Sequence, residues 1–331
     1  MQALLLAGMP RADNPGGWMG TVANRPWIEH LLLNCPAQGV RDVILAIPGD
    51  EVGHDIASLL GDGSKYGVHI AYLTGWEPGN TAGALHAAEP LLQERFIVAH
   101  ADVVQTIRLD EAMAHHVREG VLATVCLLDT DGDAPFGHVS IDLEGRVIAM
   151  RNKTGPEYAP SNLTNSGVYM MSKSALSFIP DAPDATLEET LFPLLIGIGS
   201  DVAGYIASGY WKAADTPERY RELHWDVLDR KLPLSISGTE MNEKGIWIGK
   251  NATIGKGVLL VPPVVIGDYA IIGDKAIVGP YSVVGNYCRI GAGARIARSI
   301  VLDRTDVGVS ARLNECVIGN GVHDAGSLTI A

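Results

Sequence analysis

Hydrophobic positions fall into two regimes along the chain. From Met1 to about Leu228, short apolar runs alternate with stretches of helical spacing. Ala3 to Leu6, Val43 to Ile47, Val68 to Leu73, Phe96 to His100, Leu122 to Leu128 and Val168 to Met171 read as strands. Thr81 to Leu92, Leu109 to Arg118 and a segment from Trp27 onward, after Pro26, read as helices. Thr216 and Pro217 open a further helix, to Lys231, as N-cap and first helical residue. Such alternation predicts a mixed, largely parallel sheet with helices on both faces, whose ligands sit outside the carboxyl ends of the strands. Gly8, Asn80 and Asp102 follow or border such ends.

After Lys231 the period becomes six. Aliphatic residues recur at Ile248, Ile254, Leu260, Ile266, Ile272, Val278, Val284, Ile290, Ile296 and Leu302, most of them followed by Gly. Small or branched residues sit four positions after them. A six-residue period is that of a parallel β-helix, in which each side of a triangular coil points one aliphatic side chain inward. Gly is expected to supply the turn conformation at each corner. The phase slips near Asp303, so a loop or irregular coil is expected there. The fold class is therefore α/β: a Rossmann-like domain over 1–231 followed by a β-helix domain over 232–331.

Bulk properties narrow the function. The 331 residues suit two domains. The net charge of −13, without a basic run, argues against nucleic acid. Neither a signal-peptide pattern nor an apolar run long enough to span a membrane is present, which leads to the expectation of a soluble, cytoplasmic protein. Cys35, Cys126, Cys288 and Cys316 lie far apart and form no CxxC, so neither zinc nor a disulfide framework is signalled. Cys288 and Cys316 are expected to be core thiols.

The opening stretch combines a strand, a loop rich in Gly and Pro, and a helix. That arrangement holds a phosphate against backbone N–H groups and a helix N-terminus. With it come LLLAG at 4–8, ANRPWIEH at 23–30, GDGSKYGV at 61–68, EPGNTAGAL at 77–85, Asp102 after a strand, RNKT at 151–154, NSGVYMM at 165–171, LEETLFP at 187–193 and GYWKAADTPERY at 209–220. In this order, and with the six-residue repeat, they make the chain resemble the sugar-1-phosphate nucleotidyltransferases, in particular the mannose-1-phosphate guanylyltransferase-like members whose tail is a left-handed β-helix.

The resemblance implies attack of a sugar 1-phosphate on the α-phosphorus of a nucleoside triphosphate, with release of pyrophosphate and with Mg2+ as cofactor. On the sugar side it assigns Lys153 to the sugar phosphate, Asn165 and Gly167 to a sugar-contacting strand, and Glu188 to a carboxylate that accepts sugar hydroxyls. Gly8 belongs to the phosphate loop, and Thr81, Ala82 and Gly83 to a loop that approaches the base. Asp102 is a catalytic and metal-binding candidate.

The triphosphate side departs from the family. Ala7 to Asn24 is shorter than the family's loop and holds no lysine, and Arg11 is its lone cation. The second metal aspartate falls on Ala213, with Asp215 as a substitute ligand. Asn80 replaces a glycine ahead of Thr81. Asp102 fits a metal ligand or a loop cap, Asp215 a ligand or a helix cap, and Arg11 a phosphate contact or a solvated side chain. His54, His100, His115, His116 and His138 have no metal-type spacing and read as structural or surface residues.

Two functions follow. The first is a pseudoenzyme with impaired or lost catalysis that binds a sugar 1-phosphate or nucleotide-sugar and regulates an active paralogue. The second is an active nucleotidyltransferase with a rebuilt loop. Flat coil faces suit a homo-oligomer in either case.

Overall fold

The structure, a computed structural model, describes residues 1–7, 20–76, 80–101, 103–129, 136–151, 163–180, 185–199, 201–214, 216–232, 234–241, 245–319, 322–324 and 327–329. Its contacts divide it into two compact units. One contains the first strand and residues 31–211, and the other residues 20–30 and those from 212 on.

The first unit is built on a nine-stranded sheet. Its strands are β1 (Gln2–Leu6), β2 (Asp42–Ile47), β3 (His69–Thr74), β4 (Arg95–His100), β5 (Ala123–Asp129), β6 (His138–Ile141), β7 (Val147–Arg151), β8 (Leu163–Ser172) and β9 (Val202–Ile206). The order is β7-β6-β8-β4-β1-β2-β3, with β5 pairing β8 and β9. Only β7 and β8 run against the others, so the sheet is mixed and mostly parallel. β1 is buried along its whole length, as its unbroken apolar run requires of a central parallel strand. Around it Leu4, Leu6, Ile44, Val98, Tyr169 and Phe192 join one core. After α1 (Trp27–Asn34), the helices of this unit include α2 (Glu51–Leu60), α3 (Thr81–Ala88), α4 (Leu109–Glu119) and α5 (Phe192–Gly197). The helix expected over Thr81 to Leu92 ends at Ala88 and tightens into a single turn over Glu89–Leu91, because Pro90 has no N–H to continue the ladder.

Chain order makes β1 a switch point. The chain leaves β1 for β2 and β3 on one side and returns to β4 on the other, and the sheet opens at the carboxyl ends of β1 and β4. There Ala101 N donates to Leu6 O at 3.1 Å, and His100 is the last residue of β4.

In the second unit, Thr21–Val22 and Arg25–Pro26 form a two-residue hairpin. Its central residues Ala23 and Asn24 are both left-handed, φ 50° and 61°. Ala23 N donates to His224 Nδ1 (3.3 Å), Asn24 Nδ2 to Val284 O (2.8 Å), and His30 Nε2 lies 3.0 Å from Val22 O. The predicted helix from Pro217 is present as Pro217–Leu228, capped by Thr216.

Beyond it, short strands stack in three sheets. Ile246–Ile248, Val264–Ile266, Ser282–Val284, Ile300–Val301 and Val317–Gly319 follow one another in the first; parallel neighbours there are 18 residues apart, then 17. The aliphatic residues Ile266, Ile272, Val278, Val284, Ile290 and Ile296 share one core with Cys288. The slip in phase, for which a loop or irregular coil was expected near Asp303, is an irregular coil: a corner one residue short between Ile296 and Ile300.

Of the corner glycines, Gly279 is left-handed as expected, φ 106°, whereas Gly249, Gly255, Gly267, Gly273, Gly285 and Gly291 are not. Left-handed backbone falls on Asn251, Tyr269 and Tyr287, two residues after the glycines. Gly249 is needed for space instead: a Cβ there would lie 2.5 Å from both N and Oδ1 of Asp268 in the next coil. The same closeness lets each coil cap the one before it. Asp268 Oδ1 accepts from Lys250 N at 2.7 Å, Asn286 Oδ1 from Asp268 N at 2.8 Å, and Asp303 Oδ1 from Asn286 N at 2.7 Å.

Candidate functional site

The site forms where β8 breaks its pairing with β5. Asn165 pairs with Leu127 and Tyr169 with Val125, so four steps on β8 answer two on β5. The excess is taken up at Ser166 and Gly167, both internally bonded: Asn165 Oδ1 accepts from Gly167 N (3.0 Å), and Ser166 Oγ from Val168 N (3.2 Å). Gly167 is left-handed, φ +74°. Trp211 Nε1 clamps the bulge by donating to Ser166 O at 2.9 Å.

The bulge turns Asn165 toward Tyr169. Asn165 Nδ2 donates to the Tyr169 hydroxyl at 2.9 Å, and that hydroxyl donates to Glu188 Oε1 at 2.5 Å. His100 Nε2 reaches the same oxygen at 3.0 Å. The His100 ring lies 4.8 Å from Phe136, and the Tyr169 ring 4.9 Å from Phe192.

Glu188 stands on a π turn, Leu187–Leu191, that runs into α5. Leu191 N bonds Thr186 O at 3.2 Å across five residues, a widened turn found often at functional sites. Thr186 caps it, its hydroxyl accepting from Glu189 N at 3.0 Å. Thr81 Oγ1 accepts from Leu187 N (2.9 Å), and Ala82 N donates to Ala185 O (3.1 Å), so the start of α3 fixes the turn carrying Glu188. Asn80, the departure noted from the sequence, is the N-cap of α3, its Oδ1 accepting from Gly83 N at 2.7 Å. Thr81 and Ala82 are buried supports, and the Ala82 and Gly83 N–H groups are already bonded.

Electrostatics follow from this geometry. Burial acts to raise the Glu188 pKa, but the hydrogen bond and charge of His100, with the Tyr169 hydroxyl, outweigh it and hold the group below its ordinary value. Burial, then the Glu188 charge, push the Tyr169 hydroxyl well above its usual value. Tyr169 is therefore a donor and Glu188 an anionic acceptor, an arrangement fit to receive hydroxyl hydrogens from a bound polyol.

The structure thus brings Asn165, Gly167 and Glu188 together and ties Thr81, Ala82 and Gly83 to them from behind. Gly8, Arg11, Asp102, Lys153 and Asp215 lie outside the described residues. Ala213 is buried and its side chain offers no ligand atom. Among the described residues, no three His, Cys, Asp or Glu side chains gather to hold a metal. His100, read from the sequence as structural or surface, bonds Glu188 and so joins the candidate site, and Tyr169 and Phe136 were not singled out. The signal for His100 was its place at the carboxyl end of an apolar strand. His116 is structural as expected, buried between Thr124 Oγ1 (3.0 Å) and Ser172 Oγ (3.1 Å). No helix among the described residues is long and apolar enough to cross a membrane.

A family model described as nucleotidyl transferase matches residues 19–230, and one described as GMPPB C-terminal domain matches 260–325. The chain is 30% identical over 200 residues to a mannose-1-phosphate guanylyltransferase of Mycobacterium tuberculosis, covering 60% of this chain and 55% of that one. It is 29% identical over 263 residues to a glucose-1-phosphate thymidylyltransferase of Streptomyces antibioticus, covering 76% and 72%. A solved structure from Bacillus anthracis, named for glucose-1-phosphate thymidylyltransferase, superposes with a TM-score of 0.60 at 20% identity, over 71% of this chain and 97% of that one, a likeness of fold. With its family model spanning well over half of its length, the chain belongs to the nucleotidyl transferase family.

Proposed function

We propose that this protein binds a sugar 1-phosphate, or the nucleotide-sugar derived from it, and that its nucleotidyl transfer is impaired or lost, so that it acts as a binding or regulatory member of its family. The observation that carries the binding half is the Asn165–Tyr169–Glu188–His100 chain, a fixed anionic acceptor beside a strand bulge. Glu188 takes the sugar hydroxyls, Asn165 and Gly167 form the strand bulge that holds Tyr169 against it, and Lys153 neutralises the phosphate.

The catalytic half is argued from what the triphosphate side lacks. The stretch from Ala7 to Asn24 has no lysine, and Ala213 stands where the family carries a carboxylate. Loss of one charge-stabilising group at such a site costs about 2.7–4 kcal/mol of barrier. Mg2+ would supply charge neutralisation between the phosphates, with Asp102 and Asp215 as the residues to hold it. The family resemblance and the stacked parallel strands support a left-handed β-helix over 232–331, which suits a homo-oligomer or pairing with an active paralogue. A cytoplasmic location fits such a role.

The second reading, an active sugar-1-phosphate nucleotidyltransferase, is favoured by the complete acceptor cluster at Glu188 and by relatives named for such activities. Purified protein with magnesium, each common nucleoside triphosphate and a panel of sugar 1-phosphates separates the two. The expected result is stabilisation by a sugar 1-phosphate or nucleotide-sugar in a thermal-shift titration, with pyrophosphate release near background. Pyrophosphate release well above background and abolished by Asp102→Ala would sink the binding-only reading.

A further inference from the structure

Glu188 Oε1 receives two donors from two strands, His100 Nε2 at 3.0 Å from the end of β4 and the Tyr169 hydroxyl at 2.5 Å from β8. A carboxylate turns freely about its last bond when one donor holds it. Two donors converging on one oxygen stop that rotation and aim the other oxygen in a single direction. Among the described residues Oε2 carries no side-chain partner, and the Glu188 and His100 side chains keep 14% and 12% of their exposure, so a small ligand can reach the pair.

The imidazole is itself held. Its ring packs at 4.8 Å and 39° on Phe136, and at 6.2 Å edge-on to Tyr169. Phe136 also closes over Gly167. The bulge, the aromatic ring and the imidazole therefore fix one another. His100 lies at the switch point of the sheet, where a ligand is expected.

We propose that His100 is a positioning residue for sugar recognition: it locks Glu188 so that Oε2 accepts hydroxyl hydrogens of a bound sugar 1-phosphate, and it thereby sets selectivity for the hydroxyl pattern of the ring. The inference rests on Glu188 being the sugar acceptor. A site built to pair a hydroxyl rejects the analogue lacking it, because its polar groups are left unpaired. Such rejection depends on the acceptor staying in place.

The test is calorimetric titration of the full chain with a panel of sugar 1-phosphates and their monodeoxy analogues, using wild type, His100→Leu, His100→Gln and Glu188→Gln, with melting temperature measured alongside. For a sugar that wild type binds, His100→Leu is expected to weaken binding about tenfold or more, a loss typical of a hydrogen bond to a charged group. It should also erase much of the preference over the deoxy analogue. His100→Gln, which restores a donor, should recover binding to within about threefold, and His100→Leu should add no loss in the Glu188→Gln background. If His100 merely braces the fold, His100→Leu lowers the melting temperature and weakens sugar and deoxy-sugar alike, which overturns the inference. Binding and discrimination unchanged in His100→Leu overturn it as well. Absence of binding to any of the panel by wild type overturns the sugar-binding reading itself, and the role of His100 falls with it.

Discussion

Gly167 is shaped by Phe136: a Cβ built on Gly167 would lie 3.0 Å from Cε2 and 3.1 Å from Cζ of that ring. Gly167 is also left-handed. Any side chain there meets both a backbone penalty and an aromatic ring that cannot retreat without moving His100. Gly167→Ala should lower stability by about 1–3 kcal/mol, the cost of a residue held in a sparsely populated backbone region, read as a fall in the denaturant midpoint. It should weaken sugar 1-phosphate binding as well. A midpoint equal to wild type would show that the bulge relaxes at no cost.

Gly83 makes a sharper case. Gly→Ala inside a helix ordinarily stabilises by up to about 1 kcal/mol. At Gly83 the added Cβ would lie 2.3 Å from Asn80 Nδ2 and 2.4 Å from Oδ1, so Gly83→Ala should destabilise by displacing the cap. Asn80→Gly alone should cost only a few tenths of a kcal/mol. In that background Gly83→Ala should turn neutral or stabilising. Urea denaturation of the four proteins of this cycle measures the coupling, and additive effects would refute the cap clash.

Three buried histidines point stability in one direction with pH. Burial lowers His116 and His30 from 6.5 to about 4, and His224 to about 3. Each therefore binds fewer protons folded than unfolded. Their contribution is complete above 6.5 and is lost as the pH falls toward 4. Unfolding free energy should rise with pH across that window. Glu188, held below its ordinary value, adds a loss of the same sign at the acid end. His116→Gln, which keeps polar atoms between Thr124 and Ser172, should flatten the slope. A slope equal to wild type in that variant would show that His116 does not titrate with unfolding.

Cys126 and Cys288 should be silent to thiol reagents in the native protein. Burial pushes their thiols up to about 12 and about 11, and Cys288 Sγ donates to Leu302 O at 3.0 Å. Since the thiolate is the reactive form, labelling should track global unfolding. Rapid labelling of either in buffer would show local opening of the sheet or coils.

Elements whose apolar period is their cause were legible in advance: β1, β2, β4, α4, the helix from Pro217, and the sixfold spacing that fills the core around Ile272 and Ile290. The motif residues Asn165, Gly167 and Glu188 do converge. What escaped is set by tertiary closeness rather than local pattern. The bulge at Gly167 arises from unequal pairing with β5, and the π turn from the anchoring of Leu187 N by Thr81, 106 residues away in sequence. His100 becomes a site residue only because β8 and the π turn bring Tyr169 and Glu188 to the end of β4. The glycines after the aliphatic residues were assigned to turn conformation, yet all but Gly279 answer only to the neighbouring coil, which a one-dimensional repeat does not display.

The capping column running through Asp268, Asn286 and Asp303 has a sense of direction. Each side chain of the column is the acceptor for an amide of the coil before it, whereas the backbone carbonyls of Lys250, Asp268 and Asn286 accept from Tyr269, Tyr287 and Arg304 N of the coil after. Removing coils from the amino side leaves the remaining side-chain caps intact, whereas removing the coil of Asp303 strips the Asn286 amide and the Asn286 carboxamide of their acceptors together. The side-chain caps therefore fail in sequence from one end only, and Asp303, with two bonds to Asn286, is the clasp of that column.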